Sequence, residues 1–280
     1  ELLKGLGVEP VALPLACGEL DLAECRKVLA GLRDSGRANR VRAVYIQSFF
    51  ANPSASSLSE TVKNQLAAAL GEAGLVIPVI EDAAYREIHF AEPYAARSIF
   101  SLSAFEAFPK LYLGTYTKPF ATGLKIGFAV CSHPDWQERM LALKGHQDFG
   151  SAHFNQAIIE AALISGEYQL HLEKIRGHYA QKANVMGQAL EDSCLRAKGW
   201  SWQTPAGGLY YWLQGPHGLD CSMQSAFCEA CVEAGVLYVP GDLCMAASVD
   251  HACIRLSFGA IPLDQLDQAT RRFTGVAERF

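Results

Sequence analysis

Hydrophobic and polar positions along the chain follow two periods. Short apolar runs closed by Gly, Pro, Asn or Ser read as strands, and apolar residues recurring every three to four positions read as helices. Glu1 to Gly7 reads as the end of a helix and Glu9 to Leu15 as a strand-like run. Asp21 to Leu32 is a helix opened by an acidic N-cap. Arg42 to Phe49 is an apolar strand centred on Val44-Tyr45-Ile46, and Ser57 or Ser59 opens a helix to about Ala73. Leu75 to Ile80 is a further strand, ending in Glu81-Asp82. Strand, helix and strand in this order predict right-handed crossovers and a parallel sheet. Leu111-Tyr112-Leu113 and Ile126 to Val130 read as two more buried strands.

The second half changes character. Pro134 to Phe149 and Ser151 to Ser165 read as helices. Glu167 to Ser193 is long and amphipathic, with Tyr168, Leu172, Ile175, Tyr179 and Met186 at helical spacing, and reads as a bridge. Short elements follow: strands at Trp200 to Trp202, Leu209 to Leu213, Val236 to Val239 and Cys253 to Phe258, and helices at Asp220 to Glu233 and from Pro262 or Leu263 onward. The expected fold is α/β: a large domain over residues 1–166 with a mostly parallel sheet and helices on both faces, then a small C-terminal α+β domain over residues 167–280.

Composition narrows the function. Half of the residues are hydrophobic and 19% are charged, which suits a soluble globular chain with a sizeable core. The formal net charge is -5 and no basic run occurs, which weighs against nucleic acid as a partner of this segment. No apolar stretch is long enough for a bilayer, and Glu1-Leu2-Leu3-Lys4 lacks the layout of a signal peptide. Of nine scattered cysteines most sit in apolar or helical contexts, read as reduced core residues and suggest a cytoplasmic location. Cys228 and Cys231 form a C-x-x-C pair, but no second pair of zinc-like spacing follows, so no metal site is expected.

Ligands of parallel sheets gather at the carboxyl ends of strands. The residues there are Asn52, Asp82 and the stretch from Thr115 to Lys118. A loop between buried strands is an odd place for Lys118, which has no acidic neighbour in sequence; burial would lower its pKa and free its amine for imine chemistry. The hydroxyls of Thr115 and Thr117 and the cation of Lys125 suit an anion such as phosphate. Together the set makes most sense for pyridoxal phosphate. That group needs a lysine, a carboxylate on its ring nitrogen (Asp82), donors to its phenolate oxygen (Asn52 and Tyr85) and a phosphate cradle. Each residue also has a plainer reading. Asp82 could cap a turn, Asn52-Pro53 could be a turn signal, Tyr85 a core tyrosine and the lysine loop an ordinary one. Arg255, in the apolar strand Ile254-Arg255-Leu256, wants an anion: a substrate carboxylate or a distant acid.

At these residues the sequence resembles the class I/II aminotransferases, fold type I pyridoxal-phosphate enzymes. Ala51-Asn52-Pro53-Ser54 is similar to the family's Q-N-P-T-G stretch, Glu81-Asp82-Ala83-Ala84-Tyr85 to its D-x-x-Y, and Gly114 to Gly127 to its lysine loop. Thr204 to Trp212, Val239-Pro240-Gly241 and Ile254-Arg255-Leu256 match further marks. The resemblance implies that Lys118 holds the cofactor as an imine and serves as base and acid. It implies that Arg255 clamps the α-carboxylate, that the substrates are an amino acid and a 2-oxo acid, and that the protein is a homodimer. Lys125 stands where arginine is commoner, threonines replace serines at Thr115 and Thr117, and Ser54-Ala55 replaces T-G. No glycine-rich phosphate loop occurs between Glu1 and Asn52, and Cys17-Gly18 is not one, so the chain is expected to be part of a longer protein. Two alternatives remain open: the ligand-sensing domain of a GntR-type transcriptional regulator, and a lyase of the same fold.

Overall fold

In a computed structural model of the protein, describing residues 2–16, 18–245 and 252–280, local chemistry sets most element boundaries. Cys17, named above, lies outside the described residues. A short helix α1 (Leu2–Gly5) is followed by irregular chain and by two-residue strands β1 (Leu15–Ala16) and β2 (Glu19–Leu20), paired antiparallel. The run expected as a strand over Glu9 to Leu15 is therefore mostly not one. Pro10 and Pro14 each lack the N–H a ladder needs. Helix α2 (Leu22–Asp34) starts as predicted, with the Asp21 carboxylate accepting the Glu24 N–H at 2.9 Å. Strand β3 (Val44–Gln47) leads to helix α3 (Glu60–Glu72), capped by Ser59. That helix buries Val62, Leu66 and Leu70, each contributing roughly 1.5–3 kcal/mol.

Strand β4 (Val79–Asp82) and strand β5 (Lys110–Thr115) run parallel to β3, and β6 (Gly127–Cys131) closes the order β3-β4-β5-β6 antiparallel to β5. In this register Gln47, Asp82 and Leu113 lie side by side, so the carboxyl ends of three strands share one edge. The expectation that β6 is buried fails. It has no neighbour on its outer side among the described residues, and Phe128 and Val130 are 44% and 49% exposed. Gly114 has a steric reason: a Cβ there would lie 2.2 Å from the Phe128 ring of the paired strand.

Helices α4 (Pro134–Asp148) and α5 (His153–Ser165) precede the long α6 (Glu167–Glu191). Beyond it come β7 (Ser201–Trp202), β8 (Tyr210–Gln214), α7 (Ala226–Glu233), β9 (Val239–Pro240), β10 (Cys253–Ser257) and α8 (Leu263–Ala277). Helix α7 begins later than expected because Asp220 accepts the Ser222 N–H in a turn and Ser225 is the actual cap. The later strands form an antiparallel sheet of order β7-β8-β10-β9. Trp200, Phe227, Tyr238 and Phe273 build its core with the inner face of α8. Two compact units result, one of 14–51 and 56–177 and one of 1–13, 52–55 and 178–280. No helix of the described residues is long and apolar enough to cross a membrane.

A fully buried ion pair lies in the first unit. Lys63 on α3 and Glu81 on β4 are both fully buried, 3.4 Å apart. The Lys63 ammonium also donates to the Arg97 carbonyl at 2.7 Å, and its pKa is lowered by burial. The Glu81 carboxylate accepts from the Ser98 hydroxyl and from the Ile99 N–H at 3.2 Å. Removing one partner leaves a buried charge unmatched. Lys63→Met is expected to lower the urea-unfolding free energy by about 3–5 kcal/mol, and Lys63→Met with Glu81→Leu to recover most of it. Equal losses in the two proteins would refute the pairing as the cause.

Candidate active site

Alternation along β4 decides where its two acids go. Glu81 faces the buried side toward α3, and Asp82, the next residue, faces the other. There Asp82 Oδ1 accepts the Ala84 N–H at 2.9 Å, and Oδ2 accepts from the Tyr45 hydroxyl. Partial burial and the bond to Asp82 raise the Tyr45 pKa, so the phenol stays protonated as a donor. Sequence reading named Tyr45 as the centre of a strand but gave it no role. The usable signal was its parity: it shares a face with Gln47, which pairs with Asp82. The turn after Asp82 brings Tyr85 inward to 6% exposure.

Lys118 lies in the turn after the neighbouring strand β5. The Tyr116 carbonyl accepts the N–H of Phe120 at 3.0 Å and of Ala121 at 3.2 Å, and the Tyr116 N–H donates to Ile126 at 3.0 Å. The lysine is half-buried, less than expected, since β6 beside it is an open edge. Its Nζ lies 5.6 Å from the centroid of the Tyr85 ring. The turn after β4 and the turn after β5 thus meet, with an amine against a phenol ring three residues beyond the carboxylate.

The expected phosphate ligands are arranged differently. Thr115 Oγ1 donates to the Ile126 carbonyl at 3.1 Å and accepts the Thr117 N–H at 3.0 Å, while Thr117 Oγ1 reaches the same carbonyl at 3.5 Å. A hydroxyl has one proton. To donate to an anion, either threonine must first release Ile126. Lys125 is exposed, has a left-handed backbone (φ 53), and lines an open cavity of about 690 Å³ with Lys144, Gln156 and Glu160.

Asn52 and Arg255 form a second constellation, in the other unit. Asn52 precedes a cis proline, and residues Phe50 and Ala55 around it have φ of 45 and 55. Arg255 Nη1 donates to Asn52 Oδ1 at 2.6 Å, and its guanidinium carbon lies 4.4 Å from the Tyr210 ring centroid. Its Nε is buried without a partner among the described residues. The C-x-x-C pair lies on α7 with Cys231 buried and its thiol pushed up to about 12 by burial, and no disulfide joins the described cysteines. Among the described residues no cluster of His, Cys, Asp and Glu could hold a metal ion.

The donor set fits pyridoxal phosphate at its ring and its carbonyl: an ionisable amine, a doubly supported carboxylate and a phenol share one strand edge. Known proteins resemble this chain over most of its length. The family model for aminotransferase class I and II matches residues 19–273. A 2-aminoadipate transaminase of Thermus thermophilus is 30% identical over 245 residues, covering 87% of this chain and 59% of that protein. An uncharacterized HTH-type transcriptional regulator of Bacillus subtilis, YdfD, is 28% identical over 235 residues, 83% of this chain and 46% of that protein. Among solved structures, the α-aminoadipate aminotransferase LysN of Thermus thermophilus, complexed with N-(5'-phosphopyridoxyl)-L-leucine, matches with a TM-score of 0.82. It is 26% identical over 98% of this chain and 66% of that one. The chain thus spans about three-fifths of the transaminase and under half of the regulator.

Thr115→Val removes both bonds of the bracing hydroxyl. It is expected to raise amide exchange at Thr117 by roughly one to two orders of magnitude, for a loss of about 1–3 kcal/mol. Unchanged protection of that amide, measured by hydrogen exchange, would show that the turn is held otherwise.

Proposed function

This chain belongs to the class I and II aminotransferase family, and we propose that it acts as a pyridoxal-phosphate-dependent aminotransferase moving an amino group from an amino acid to a 2-oxo acid. The observation that carries the reading is the meeting of Lys118 and Tyr85 at the ends of β4 and β5, one turn from Asp82. Bound, the cofactor supplies an electron sink for the substrate's α-carbon. The chain's own groups do the rest. Lys118 Nζ is the attachment point and the group that takes and returns the α-proton. Asp82 holds a positive charge on the ring nitrogen, with Tyr45 and the Ala84 N–H fixing its carboxylate. Tyr85 and Asn52 address the phenolate oxygen. Thr115, Thr117 and Lys125 take the phosphate once the threonines turn from Ile126. Arg255 binds the substrate's α-carboxylate as a planar fork. A homodimer, on the strength of the family resemblance, and a cytoplasmic location, on the scattered cysteines, are part of the same proposal.

A sensor reading keeps the same residues without turnover, and the likeness to a transcriptional regulator favours it as the second choice. Incubating the protein with amino acids and 2-oxoglutarate separates the readings. Stoichiometric new amino acid means transfer, pyruvate with ammonia means elimination, and binding without turnover means a sensor. The purified protein with added pyridoxal phosphate is expected to show a visible or near-ultraviolet imine band that Lys118→Ala abolishes. Arg255→Lys is expected to raise KM by roughly one to two orders of magnitude, since one planar bidentate partner becomes a point charge. A protein that stays colourless with cofactor would overturn the proposal.

A further inference from the structure

The turn that carries Lys118 rests on aromatic rings from α6. Tyr116 and Phe120 stand two residues before and two after the lysine. Tyr168, in the first turn of α6, contacts both: its ring is edge-on to Tyr116 at 5.7 Å and tilted against Phe120 at 5.7 Å. His171, one turn further, is edge-on to Phe120 at 5.1 Å. Tyr116 in turn lies 5.4 Å from Phe128 on β6. Beside this arrangement is a half-open cleft of about 270 Å³, lined by Tyr112, Tyr116, Phe128, Tyr168, Glu87 and Gly114 among others. Tyr116 and Tyr168 meet at its wall, so the start of the lysine turn borders free space there, and the Tyr168 ring is its support.

We propose that Tyr168 is a positioning residue for Lys118: its ring, wedged between Tyr116 and Phe120, fixes the direction of the turn and so the place of the amine. The proposal rests on the reading of Lys118 as the cofactor lysine, and it deepens that reading by naming what aims the lysine. The contact is made by ring faces and edges, not by the hydroxyl. Burial foremost, with Glu87 and Tyr116 nearby, pushes the Tyr168 phenol up to about 12, so it stays neutral and the contact is insensitive to pH in the ordinary range. Without the ring, Tyr116 and Phe120 lose the partner they share, and the cleft beside Tyr116 leaves the turn room to shift.

Two readouts test this, on the full chain as Tyr168→Phe and Tyr168→Ala beside the unchanged protein. The first needs no cofactor: a brief pulse of an amine-acylating reagent, with modification at Lys118 and Lys125 quantified by peptide mass spectrometry. The second adds pyridoxal phosphate and borohydride and measures the rate of capture at Lys118. Tyr168→Phe should match the unchanged protein in both. Tyr168→Ala should change the Lys118-to-Lys125 acylation ratio by about tenfold, the scale of two lost ring pairs, and slow capture by a similar factor. Added p-cresol, which refills the gap, should reverse both effects. An unaltered ratio in Tyr168→Ala, in a protein still folded by circular dichroism, overturns the proposal. So does a uniform rise at every lysine, which marks general loosening. Failure of the unchanged protein to capture pyridoxal phosphate at Lys118 would instead overturn the functional reading and leave the acylation result standing.

Discussion

Alternation along β4 separates two carboxylates that are neighbours in sequence, and the rest of the first unit is arranged to make that separation safe. Glu81 goes inward, where an isolated charge would be expensive. Lys63, the Ser98 hydroxyl and the Ile99 N–H meet it there. Asp82 goes to the other face and is steadied by Tyr45 and by the Ala84 N–H. A slip of one residue would exchange the two, leaving Asp82 against Lys63 with a shorter side chain and Glu81 where Asp82 belongs. A buried ion pair is weak evidence for stability but a strong constraint on register. Here the register is what puts a carboxylate beside the lysine turn.

The lysine turn obeys a related logic. A single carbonyl, Ile126, collects the Tyr116 N–H and both threonine hydroxyls. That ties the two ends of the segment together without calling on the Lys118 amine. The groups expected to grip an anion thus also hold the loop's shape. An incoming anion competes with an existing bond, so its binding and the loop's conformation are linked.

How much of this was legible follows from the range of each interaction. Caps are local: Asp21 is where the sequence places it, and Ser59 is one of the two serines the sequence offers. The order of the elements bearing Asp82, Thr115 and, in the following turn, Lys118 was legible because apolar runs and their closing residues are contiguous, though β4 begins four residues later than expected, at Val79, and runs through Asp82. What was not legible depends on partners far away in the chain. Lys63 carries no sign that it meets Glu81, since a lysine on a helix is usually solvated. The exposure of β6 depends on what lies beside it, not on its own apolar residues. The strand expected before Leu15 failed because prolines at positions 10 and 14 outweigh the hydrophobic pattern between them. Tyr168 read as one more apolar position of an amphipathic helix, and only coordinates show which rings it touches.

Arg255 raises the question of why an arginine should sit in an apolar strand facing an amide. A carboxylate partner would neutralise it and close the site. Asn52 does something different: its Oδ1 accepts from Nη1 at 2.6 Å and holds the fork in one orientation without bringing a negative charge of its own. The identity of the accepting atom is not in doubt, because a guanidinium only donates. The Tyr210 ring at 4.4 Å supports the cation from one side without adding a negative charge. Charge-assisted bonds are roughly twice as strong as neutral ones, and a carboxylate can take two parallel N–H groups where the amide oxygen takes one. On the proposed function, a carboxylate arriving at Arg255 improves on the bond it meets. That is the physical sense in which the pair is preorganised for an anion.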